Sequence, residues 1–182
     1  MAINKSLLLC LLVLFPLASA KLGWGGCPKQ QLVANFDLSK YLGDWYEYVR
    51  DSSLPFESGE CSRAHYELKS NGRVKVLNSE VRGDGQLHVA EGEAYCDGTS
   101  AQCYVRFSNF SPFGDYKVLD TDYTSYSVVY SCTSFWLFHA EAGWVLTRDA
   151  TFNAESQVEY LISKSEGLTR DDLHFTSHGA CP

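Results

Sequence analysis

The residues of this 182-residue chain that could do chemistry are seven cysteines, five histidines and scattered carboxylates. Cys10 sits in an apolar N-terminal run, which leaves Cys27, Cys61, Cys96, Cys103, Cys132 and Cys181 as an even set. An even set in an exported chain predicts three disulfides, with six buried free thiols as the alternative. No Cys-x-x-Cys occurs, and His65, His88, His139, His174 and His178 lack the paired spacing that gathers metal ligands, so no metal site is assigned. With every remaining cysteine expected in a disulfide, no thiolate nucleophile is left, and neither Gly-x-Ser-x-Gly nor His-Glu-x-x-His is present. Carboxylates such as Glu80 and Glu91 do not by themselves make an acid–base pair. The chain reads as a non-enzyme with no catalytic residue.

The elements that must position these side chains begin with residues 1–20. Lys5, the apolar run 7–17 and the small residues Ala18, Ser19 and Ala20 have the form of a signal peptide, too short to span a membrane. Residues 21–182 then form one domain, secreted and extracellular. The formal charge of −7 becomes −8 once Lys5 is removed, which argues against affinity for nucleic acid or anionic membrane.

Short segments rich in Val, Tyr, Phe and Thr recur about every ten residues, separated by Gly, Asn, Asp and Ser. Eight strands are predicted, at 44–50, 63–69, 73–81, 86–94, 102–109, 116–122, 125–132 and 135–148. Ser70-Asn71-Gly72 and Gly83-Asp84-Gly85 supply hairpin turns, and Asp97-Gly98-Thr99 suggests a local Cys96–Cys103 bridge. Helix is expected from Asn153 through Val158, Leu161 and Ile162 to Gly167, with shorter pieces at 38–42, capped by Asp37, and at 169–173. A sandwich is the structural alternative. Eight consecutive strands on short turns followed by one helix favour an antiparallel up-and-down β-barrel, wide enough for one small ligand.

Three regions carry a family resemblance: Gly43-Asp44-Trp45, Thr121-Asp122-Tyr123 and Arg148, in that order. They resemble the signature of the lipocalins. Asn35-Phe36-Asp37, 40–43, 75–78, 126–132 and Ala180-Cys181-Pro182 resemble its apolipoprotein D-like subgroup, related to bilin-binding proteins and crustacean carotenoid-binding subunits. The resemblance implies an eight-stranded barrel and the pairs Cys27–Cys132 and Cys61–Cys181, whereas Cys96 and Cys103 depart from the subgroup. Physically, Trp45 suits an apolar plug for the closed end, with the Arg148 guanidinium laid over its indole and Thr121-Asp122-Tyr123 as a turn device.

Alternation assigns the interior. If Trp144 points inward, so do Trp136, Phe138, Ala140 and Ala142, while Glu141 faces water; the set containing Val76 also contains Asn78 and Glu80. Polar groups inside an apolar barrel point to a ligand or to bridging water. The resemblance places Tyr66, Asn78, Glu80, Phe107 and Trp144 in the pocket. It also brings His139 near the mouth, where alternation would instead turn it outward.

The open end is expected at Leu54-Pro55-Phe56, at 83–85 and at Phe110-Ser111-Pro112-Phe113. Aromatic tips there invite contact with lipoprotein, a membrane surface or a receptor, or folding over the ligand. Asn109-Phe110-Ser111 is a glycosylation sequon followed by Pro112.

The expected function is extracellular transport of a small hydrophobic ligand: lipid, steroid, retinoid, bilin or carotenoid. No cofactor is required, although biliverdin or a carotenoid could be bound. A pigment-binding colour protein, a lipocalin-type isomerase and an interaction module with a filled barrel are the alternatives, and a homo-oligomer fits the sequence equally.

Overall fold

The structure is a computed structural model that describes residues 21–179 and residue 181. The signal peptide expected at 1–20 lies outside the described residues. Eight strands form the barrel: β2 (Gly43–Asp51), β3 (Glu60–Leu68), β4 (Val74–Val81), β5 (Leu87–Cys96), β6 (Gln102–Arg106), β7 (Gly114–Thr121), β8 (Tyr126–Phe135) and β9 (Phe138–Thr147). Each pairs antiparallel with the next, and β9 returns to pair with β2, closing the circuit. The up-and-down barrel expected from the turn spacing is therefore the observed fold, and a sandwich is not.

Two short strands were not expected. β1 (Lys21–Trp24) extends β9 near the open rim, and β10 (Leu173–Phe175) pairs with the upper part of β2. Four and three residues are too few for alternation to register in sequence.

The boundary between the last two barrel strands needs correction. The strand expected at 135–148 starts at Phe138, because Phe135 and Phe138 pair across a two-residue turn of Trp136 and Leu137. Trp136 adopts φ +57° there. The turn escaped notice because it carries none of the Gly, Asn or Asp residues that ordinarily accept a left-handed backbone.

Helix α1 (Leu38–Tyr41) is capped by the Asp37 carboxylate, which accepts from the Ser39 amide at 3.1 Å. Helix α2 (Glu155–Lys164) packs on the outer face of β8 and β9. Val158 and Leu161 are buried there with Val49, Val128, Tyr130 and Val145, each such aliphatic side chain contributing about 1.5–3 kcal/mol. Close approach requires Gly143, since a Cβ there would lie 2.7 Å from a Leu161 methyl. A 3₁₀ turn follows at Arg170–Asp172.

A second cluster fills the base of the barrel: Phe36, Tyr41, Trp45, Val118, Val129 and Leu146. Disulfides join Cys27 to Cys132, Cys61 to Cys181 and Cys96 to Cys103, the pairing that resemblance and local spacing imply. The first two close loops of 105 and 120 residues, which the chain-entropy account credits with about 4–5 kcal/mol each.

Candidate functional site

At the closed end Trp45 is fully buried, and the Arg148 guanidinium carbon lies 3.7 Å from its ring centroid. Arg148 also donates to three carbonyls: Asp44 at 2.7 Å, Lys40 at 2.9 Å and Tyr123 at 3.0 Å. Nearby, Asp122 Oδ1 accepts the amides of Thr124, Ser125 and Tyr126, and Thr121 Oγ1 donates to the Tyr126 carbonyl. Gly43, at φ +91°, has the Arg148 side chain beside it. These groups satisfy one another and shut the base.

Above the base lies a floor of phenols. Tyr116 hydroxyl is 2.9 Å from that of Tyr41 and 3.1 Å from that of Tyr66, and Tyr41 also meets Ser127 at 2.8 Å. Burial pushes the Tyr41 hydroxyl up to about 12, and burial with its phenolic neighbours pushes Tyr66 and Tyr116 upward too. The floor stays neutral and offers hydroxyls, not charge.

The ladder registers place Tyr66, Val76 and Gly92 in one inward row, and Ala64, Asn78 and Ala90 in the next. Val76 is buried, and Phe107 leans over Gly92, where a Cβ would come within 2.8 Å of its ring. Asn78 Oδ1 is buried without a hydrogen-bond partner. Glu80 accepts the Gly59 amide at 2.8 Å, the Ser58 amide at 3.0 Å and Arg82 Nε at 2.6 Å. Burial raises its carboxyl, but these donors outweigh burial and hold it below the usual range. Trp144 shares the inner face with Ala142 and Val129, and its indole N–H donates to Glu57 Oε2 at 2.7 Å. The structure thus brings Tyr66, Val76, Asn78, Glu80, Phe107 and Trp144 to one lumen.

Three expected members behave differently. Phe138 stands at the rim, its ring 4.6 Å from Trp24 and 6.2 Å from Phe135. Trp136 does not point inward: it occupies the β8–β9 turn and is 95% exposed. His139 lies on the outer face, fully buried under β1, where a Gly23 Cβ would fall 2.2 Å from its ring. Alternation therefore decides its orientation against the resemblance. Glu141, expected to face water, is 1% exposed. It accepts from Tyr130 Oη at 2.8 Å, from the Ser165 hydroxyl and from the amides of Glu166 and Gly167, and so anchors the chain leaving α2.

Sequence reading missed Glu47, Arg50 and Glu57. A register shift between Glu47 and Val49 inserts an extra residue in β2, so Glu47 opposite Leu146 and Arg50 opposite Trp144 both share the inner face. Arg50 Nη1 donates to Glu47 Oε1 at 2.6 Å, while Arg50 Nε is buried without a partner. A bulge leaves no mark on composition, and Glu57 belongs to a loop with no periodicity. Outside the barrel, Leu77, Leu87 and Val89 line an open groove of about 410 Å³. Its Arg63 and His65 are already paired with Asp44 at 2.8 and 2.9 Å, so it lacks the unpaired polar atom that marks the lumen.

Residues 36–178 match the family model of the lipocalin-like domain. The chain belongs to the lipocalin family. Apolipoprotein D of Cavia porcellus is 43% identical over 164 residues, covering 87% of this chain and 86% of that protein. Lazarillo protein of Schistocerca americana is 31% identical over 132 residues, covering 68% of this lipocalin and 60% of the relative. Insecticyanin from the tobacco hornworm Manduca sexta shares the fold, with a TM-score of 0.71 at 22% identity, over 88% of this chain and 90% of that one.

Proposed function

We propose that this lipocalin is a secreted carrier that holds one small, largely apolar molecule in the barrel lumen, after removal of residues 1–20 as a signal peptide. The observation that carries the reading is Asn78 Oδ1, a buried acceptor without a partner on the inner wall, set between the apolar cross-strand neighbours Ala64 and Ala90. A solid core rarely tolerates such an atom, and a ligand hydroxyl or N–H would satisfy it. Tyr66, Val76, Phe107 and Trp144 supply the surrounding apolar and aromatic contact, with Glu80 and Glu57 at the mouth.

An isomerase with a pocket thiol is disfavoured, because the six cysteines of residues 21–182 are all in disulfides. At the open rim Trp24 is 76% exposed, Trp136 95% and Phe110 fully exposed. These side chains suit contact with a lipid or lipoprotein surface during loading.

The test is an absorption spectrum and a native mass spectrum of protein purified from its source, followed by retinol titration monitored through quenching of tryptophan fluorescence. Bound lipid mass or saturable retinol quenching is expected. A visible band with the mass of a bilin or carotenoid would make it a pigment carrier, whereas failure to bind any of these would overturn the reading.

A further inference from the structure

The segment 52–59 crosses the barrel mouth between β2 and β3 and is tied down differently at its feet and its centre. At the first foot the Ser53 amide donates to Asp51 Oδ1 at 2.8 Å. At the second, the Ser58 and Gly59 amides donate to Glu80 Oε2, and a Cβ on Gly59 would lie 2.6 Å from the Val81 carbonyl, so this foot is pressed against β4. Between the feet, Arg82 Nη2 reaches the Phe56 carbonyl at a long 3.4 Å. The strong contact that spans the mouth is Glu57 Oε2 with the Trp144 indole at 2.7 Å.

We propose that 52–59 is a lid over the ligand lumen, that the Glu57–Trp144 contact is its latch, and that ionisation of Glu57 releases it. This rests on the carrier reading for its purpose, though not for its existence. The charged and titratable groups facing Glu57 are Glu47 and Arg50 from β2, Tyr66 from β3 and Glu80 from β4. Arg50 Nη1 is engaged by Glu47 and Arg82 Nε by Glu80, so a third carboxylate there has to share cations that each already hold one. Burial first and Glu47 second push the Glu57 carboxyl up to about 7, against the downward pull of the Trp144 N–H and Arg50.

The sign follows from comparing the two lid positions. A released Glu57 meets water and has the ordinary value of 4.5. The closed lid therefore keeps a proton that the open lid gives up as pH rises from 4.5 to about 7. Closure is favoured in acid, weakens across that window and is level above it. Each unit of difference between the two positions is worth a tenfold change in the open fraction, and about one and a half units of the window lie between pH 5.5 and its upper end, so retinol should leave roughly thirtyfold faster at pH 8 than at pH 5.5.

Two readouts test this on the full mature protein. Stopped-flow release of retinol is measured at both pH values in wild type and in Glu57→Gln, which keeps a hydrogen-bond acceptor but cannot ionise. Separately, the Trp144 indole N–H resonance of the ligand-free protein is followed across pH. Faster release at pH 8 in wild type, slow release at both pH values in Glu57→Gln, and an indole midpoint near 7 are expected. Equal release at both pH values in wild type, or the same acceleration in Glu57→Gln, overturns the latch while leaving the carrier intact. If retinol does not bind at any pH, the carrier reading fails for retinol and the indole alone decides. A midpoint near 7 then keeps the latch, and a midpoint in the ordinary carboxylate range, or none, removes it.

Discussion

Replacing Asn78 with leucine should strengthen the empty protein and weaken it as a carrier. Asn78 Oδ1 is buried with no partner, a burden of about 1–3 kcal/mol for a desolvated polar atom. Leucine has nearly the same size, and the cross-strand neighbours Ala64 and Ala90 are apolar, so the wall can accept it without a clash. Part of the gain is offset because the new side chain also faces the lumen, which leaves about 1 kcal/mol of net stabilisation. For a domain of this length that raises the melting temperature by about 2–4 °C. A retinol hydroxyl that meets Asn78 would lose one hydrogen bond, about 1 kcal/mol, or roughly fivefold in affinity. Differential scanning calorimetry of the ligand-free protein and fluorescence titration with retinol measure the two halves. A fall in melting temperature for Asn78→Leu would refute the claim that the amide oxygen is unsatisfied. A rise with unchanged retinol affinity would remove Asn78 from the site.

Other outcomes concern the frame. Arg148→Lys keeps the charge but loses the fork that reaches three carbonyls and the stack on Trp45, and should cost about 2–3 kcal/mol in urea unfolding; a loss under about 0.5 kcal/mol would mean the base is closed by packing alone. Gly23→Ala forces a methyl into the His139 ring and should lower stability by about 1–3 kcal/mol while exposing the β1 amides to hydrogen exchange; wild-type protection would refute the tight strap. Glu80 is held below the ordinary carboxylate range when folded. Its contribution is therefore present above its unfolded value of 4.5 and lost as pH falls through the lowered folded value. Glu80→Gln should flatten that acid limb in pH-dependent thermal melts, and an unchanged limb would assign acid sensitivity elsewhere.

The legible parts of this protein were those written in local pattern. Alternation in 73–81 and the Asn71-Gly72 turn are local, and they fixed both the strand and its inward set of Val76, Asn78 and Glu80. The cysteines at 96 and 103 flank a turn, so their pairing needed no tertiary knowledge, whereas the two long-range pairs needed the family resemblance. Trp136 was misplaced because an apolar hairpin turn imitates an uninterrupted strand. Glu141 was misplaced because alternation tells which face a residue takes but not whether something covers that face. Here the segment after α2 does, delivering the Ser165 hydroxyl and two amides to its carboxylate. Glu47 and Arg50 entered the lumen through a bulge whose position depends on how β2 meets β9, a pairing between strands nearly a hundred residues apart.

The two long disulfides have a topological consequence. Cys27–Cys132 and Cys61–Cys181 overlap along the chain, so any single backbone cut between Cys27 and Cys181 falls inside at least one covalent ring. A protease that clips the exposed turn around Phe110 produces two pieces still joined by both bridges, and the nicked molecule keeps all eight staves of its barrel in one covalent unit. Any one loop at the mouth can thus be cut without shedding a fragment, and after that cut only reduction separates the parts.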